Sequence, residues 1–113
     1  MIEQLREIHS LCLKHEDYDS AGRVGKLVEL FATDSARFWE LLTSNSIWGG
    51  PGSFADQCLM SSRTGSEAEL KRDRRIVWHA LSEIATEMES AGRLNDRTVS
   101  WASAFRAWLR EGL

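Results

Sequence analysis

Residues 66–92 read SEAELKRDRRIVWHALSEIATEMESAG and carry the marks of one long helix. Ser66 with Glu69 three residues on is a capping box, each side chain placed to accept or return a hydrogen bond at the first turn. Ile76, Val77, Ala80, Leu81, Ile84 and Met88 then recur at spacings of three and four, which puts them on one buried face. Gly92 is a natural residue to end on, because it enters the left-handed region without a Cβ penalty. A helix with one apolar face needs others to cover it, and the rest of the chain supplies the same pattern. Asn95 or Asp96 starts a last helix with a stripe of Val99, Ala102, Phe105 and Leu109, widened by Trp101 and Trp108 and closed by Gly112. Toward the N-terminus, Ser61–Gly65 reads as a loop, and Ser53 with Asp56 caps a short helix over residues 54–60. Asn45–Ser53, with three glycines and Pro51, forbids regular structure and is the conspicuous loop. Before it, Thr33 or Asp34 caps a helix bearing Phe38, Trp39, Leu41 and Leu42. Residues 20–32 and 2–16 complete the set through Ala21, Val24, Val28 and Phe31, and through Ile2, Leu5, Ile8 and Cys12. No strand-like alternation bounded by turns is found. The expected fold is therefore all-α: a single domain, residues 1–113, of about five main helices plus a short helix after a glycine-rich loop.

The 113 residues suit one core, and 42% hydrophobic with 27% charged residues is an ordinary globular balance. The net charge of −3 is uneven. Residues 1–56 hold five Lys/Arg against nine Asp/Glu, while residues 57–113 hold nine against eight. An acidic N-terminal half suits a basic partner or is a solvated acidic surface, and the negative net charge argues against nucleic acid, whose binders show a basic excess. Cys12 and Cys58 are far apart without CxxC spacing and read as small core residues, not metal ligands or a disulfide framework. No signal-peptide core follows Met1, and no run approaches the ~18 apolar residues of a membrane span, so the expected location is the cytoplasm.

Four features are candidates for chemistry. Trp48-Gly49-Gly50-Pro51-Gly52-Ser53 opens a helix, and converging backbone N–H groups with a helix dipole suit an anion. No Lys-Ser/Thr follows it and no strand precedes it, so it is not a P-loop, and a tight turn with Trp48 packed on the bundle accounts for it without a ligand. In Lys71-Arg72-Asp73-Arg74-Arg75, helical spacing puts Arg72 and Arg75 on one face, a site for an acidic or phosphate-bearing partner or a salt-bridged surface. His79 and Glu83 stand four apart and suit an acid/base couple or a plain surface pair. His9 and His15 share no helical face, which excludes a zinc pair between them, and no cofactor is expected. Finally, Trp101, Phe105 and Trp108 at helical spacing either belong to the core or leave one aromatic edge for a homodimer or another protein.

The Ser44–Ser53 segment resembles the Trp-Gly-Gly-x-Gly-Ser loop of a group of small bacterial proteins of uncharacterised function. The preceding Phe-Trp-Glu-Leu-Leu helix, the long helix after Gly65 and the overall length are similar too. That family brings no activity or catalytic residues. As a class, small acidic helical bacterial proteins also resemble immunity proteins, and this likeness implies a partner: a cognate toxin that is bound and neutralised. The expectation is thus a protein-interaction module rather than an enzyme, with Trp48, Gly49, Gly50, Gly52, Ser53, Arg72, Arg75 and His79 as candidate contacts. The alternative is a small enzyme or anionic-ligand-binding domain in which the 48–53 loop meets His79, Arg72 and Arg75. A helix-turn-helix using the Arg-rich helix is a third reading, opposed by the net charge.

Overall fold

The computed structural model describes residues 1–62 and 65–113, so Arg63 and Thr64 of the expected 61–65 loop lie outside the described residues. Seven helices are found among the described residues and no strand: α1 Ile2–Lys14, α2 Tyr18–Thr33, α3 Ser35–Leu42, α4 Asn45–Trp48, α5 Phe54–Gln57, α6 Glu67–Ser90 and α7 Asp96–Glu111. The protein is all-α, with five main helices and two single turns.

Side-chain caps set most of the boundaries. Ser66 accepts from the Glu69 N–H, Asn95 from Thr98, Asp34 from Arg37 and Ser53 from Asp56. Each satisfies an N–H that the first helical turn would leave without a partner. Helix α2 starts before the expected residue 20 because Asp17 is its cap, accepting from the Ser20 N–H. Helix α5 is one turn instead of two, since Cys58 is extended at ψ 121° and Leu59 after it is left-handed at φ 55°. Helix α4 lies inside the expected Asn45–Ser53 loop and ends where Gly49 N–H returns to the Asn45 carbonyl at 2.8 Å.

Helix α1 packs between α2 and α6, α7 covers the other flank of α6, and α3 lies against α2. One apolar cluster joins them, with Leu5 and Ile8 of α1, Leu27 of α2, Ile84 and Met88 of α6 and Phe105 of α7 all but completely buried. The two short helices close an end of it, for Trp48 and Phe54 are each 1% exposed. The aromatic stripe of α7 is largely satisfied within the chain. Trp108 lies 5.0 Å from Trp78, Trp101 lies 5.6 Å from Phe105, and the Trp101 indole donates to the Gly49 carbonyl at 3.0 Å. No helix of the described residues is long and apolar enough to cross a membrane.

Candidate partner-binding surface

Two helical stripes include a polar residue, and the fold brings those residues together. The apolar stripe of α1 (Leu5, Ile8, Cys12) continues at His15, and that of α6 (Leu70, Val77, Ala80) contains Asp73. His15 and Asp73 are 1% and 2% exposed, with His15 Nε2 2.8 Å from Asp73 Oδ2. A carboxylate only accepts, so Nε2 donates to it. Lys14 Nζ lies 2.7 Å from the same oxygen and 2.7 Å from Glu69 Oε1. Burial pushes the Asp73 carboxyl up, but the hydrogen bonds from Lys14, His15 and Arg72 outweigh it and hold the group below the usual carboxylate range. Lys14 likewise holds Glu69 low, and its own ammonium is raised by Asp73 and Glu69. The result is an ionic joint between the end of α1 and the start of α6.

Ser62 Oγ lies 2.7 Å from His15 Nδ1, so serine, histidine and aspartate stand in the order of an acyl-transfer relay. Such a relay must pass its proton to a leaving group, and a ring 1% exposed has no face to offer one. The arrangement acts as a tie that fixes Ser62, and with it the connection from α5 to α6.

The connection is also held at Leu59. Asp17 Oδ2 accepts from the Leu59 N–H at 3.0 Å, and Arg74 Nε donates to the Leu59 carbonyl at 2.9 Å. These clamps maintain Leu59 in a left-handed conformation that a branched side chain seldom adopts, and its side chain is fully buried. The next residue, Met60, therefore points outward, 59% exposed. It stands between two adjoining clefts. One, of about 240 Å³, is walled by Glu16, Asp17, Tyr18 and Asp19. The other, of about 760 Å³, is walled by Leu70, Lys71, Arg74, Trp78 and Leu113. Tyr18 is 57% exposed and Leu113 50%, so the three most exposed large apolar side chains among the described residues all line this pair of clefts.

The residues singled out from the sequence lie elsewhere or point elsewhere. Trp48 is buried and Ser53 caps α5, so neither ring nor hydroxyl is offered to a partner. Gly49 is also buried, with Gly50 and Gly52 more open. The loop is closed from within by Arg23, whose Nη1 donates to the Gly52 carbonyl at 2.8 Å and the Ser46 carbonyl at 3.3 Å. Arg72 and Arg75 diverge. Arg72 leans toward Asp73 and Glu69, whereas Arg75 donates to the Leu113 and Leu109 carbonyls at 2.7 and 3.1 Å, neutralising the negative end of α7. His79 and Glu83 form a 2.7 Å surface pair, 70% and 44% exposed. The cavities beside the loop are lined by Trp48 with Asp96 and Arg97, and by none of Arg72, Arg75 or His79. Loop and basic turn do not converge on one site.

His15 and Asp73 had a signal in the sequence: each is an ionisable residue where a helical stripe calls for an apolar one. Met60 had none, because its exposure depends on the path of the connection, and Tyr18 and Leu113 stand at helix ends outside the apolar stripes. No family model matches the chain, and neither a curated protein nor a solved structure matches it.

Proposed function

We propose that this chain is a protein-interaction module that binds a basic protein partner across the Met60 ridge. The observation that carries the reading is the meeting of Met60, Tyr18 and Leu113 on two adjoining clefts, one with an acidic wall. Exposed apolar side chains scattered singly need no explanation, but three on one concave surface supply an anchor with a polar rim. Glu16 and Asp19 stand on that rim, and the acidic residues of the N-terminal half extend the field beyond it. They would steer a positively charged surface and raise its rate of encounter. A toxin that acts on nucleic acid needs such a surface, and covering it would neutralise the toxin, which is how an immunity protein would use this face.

Pull-down with immobilised protein followed by identification of the captured chain tests this. The partner should be basic, and its association should slow as salt rises from about 50 mM to about 500 mM. Met60→Asp and Tyr18→Ala should each weaken it by about tenfold or more while the melting temperature holds. An acidic partner, or variants that bind as tightly as the parent protein, would overturn the reading.

A further inference from the structure

The α5–α6 connection that presents Met60 begins at Cys58, and Cys58 does not stand alone. Its Sγ lies 3.6 Å from that of Cys12 on α1, with both side chains buried and 46 positions apart in sequence. The Asp17 carboxylate lies close enough to make a three-ligand set with the two sulfurs. Both its oxygens, however, already accept backbone N–H groups, from Ser20 and Leu59. That leaves two thiols, fewer than the three or four protein ligands of a zinc site. The remaining chemistry of two thiols in contact is oxidation to a disulfide.

We propose that Cys12 and Cys58 are a reversible redox latch that ties the Met60-bearing connection to α1. The sulfurs need to close by only about 1.5 Å to reach a bond of roughly 2.05 Å. With hydrogen peroxide as oxidant, the Cys58 thiolate attacks one peroxide oxygen, giving a sulfenic acid and one water once the released hydroxide is protonated. The Cys12 thiol then displaces the hydroxyl from the Cys58 sulfur, forming the disulfide and releasing the second water. Two thiols and one peroxide thus become one disulfide and two waters. Cys58 reacts first because it is 4% exposed and Cys12 is 0%. In the closed structure the hydrogen bond to Cys12 and burial raise the Cys58 thiol well above its ordinary value, so reaction waits on opening of the connection. In bearing on Met60 the latch rests on the reading above, whereas its formation does not.

The full chain is oxidised with hydrogen peroxide and analysed with no partner present. The expected product is a monomer lighter by two hydrogens, with no free thiol after denaturation and a linked Cys12–Cys58 peptide on digestion. Its melting temperature rises by about 10 °C, since the bond closes a long loop in the unfolded chain, and dithiothreitol reverses the change. Amide exchange at Leu59–Ser62 slows in the oxidised protein. Cys12→Ser and Cys58→Ser each abolish the mass change; the linked peptide from the unaltered chain gives the same answer should either variant fail to fold. Disulfide-linked dimers, sulfinic acid at Cys58, thiols that persist, or a bond that leaves exchange at 59–62 unchanged would overturn the latch. Partner capture is measured separately on reduced protein, so its failure would count against the Met60 surface alone.

Discussion

Replacing Gly49 with alanine is expected to destabilise the protein by about 3 kcal/mol, whereas Gly50→Ala, one residue on, should change stability by no more than about 0.5 kcal/mol. A Cβ at Gly49 would be driven into the Asn45 backbone carbonyl, while one at Gly50 meets nothing within 4 Å. The clash has no easy relief. Gly49 N–H is bonded to that same carbonyl, its own carbonyl accepts from Trp101, and Trp48 before it is packed in the core. Moving Gly49 away would break one or other of these. Gly52 falls between the two: it has open space but φ 86°, and alanine there should cost about 1–2 kcal/mol. Urea midpoints for the three variants check the order. Equal losses at positions 49 and 50, or a Gly49→Ala protein as stable as the parent, would mean that the loop is not the tight turn described.

The same loop shows what could and could not be read in advance. The main helices were readable because their determinants are local: a capping side chain, an apolar stripe, a glycine stop. Ser66, Asp34 and Asn95 cap where the sequence places them. The single turn α4 was not, since Asn45 and Ser46 favour turns and its closure depends on Gly49 and on Trp101 from α7. The glycine-rich motif suits an anion through its N–H groups, yet those of Gly49, Gly52 and Ser53 already donate to Asn45, Asp56 and Gly50. The surface around Met60 lay in the opposite case. Nothing in Leu59-Met60 announces a left-handed residue, because the conformation is imposed by Asp17 and Arg74, residues distant in sequence.

The ionic joint at Asp73 yields the largest expected effect of any single polar substitution. Asp73→Ala should cost about 3–5 kcal/mol, because it leaves the buried His15 without the carboxylate that accepts from it and Lys14 with one fewer carboxylate partner. Asp73→Asn retains the shape but not the charge, and should cost less. The pH dependence separates charge from packing. Folding holds the Asp73 carboxyl below its ordinary value despite burial, so the unfolded chain binds more protons than the folded one across that interval. The charged contribution is therefore complete above the unfolded value, about 3.9, and disappears as pH falls through the lower folded one. Glu69, shifted the same way by Lys14, adds to the slope. Denaturation curves below about pH 4 should accordingly show stability falling with pH more steeply in the parent than in Asp73→Asn. Parallel curves would show that Asp73 holds α1 to α6 by shape alone. Lys14→Met tests the joint from its exposed side: it removes one cation but leaves the His15 hydrogen bond, so its cost should be well below that of Asp73→Ala. If the two variants lose equal stability, Lys14 and not the buried pair is what fastens the end of α1, and the fixed position of Ser62 beside Met60 would need another cause.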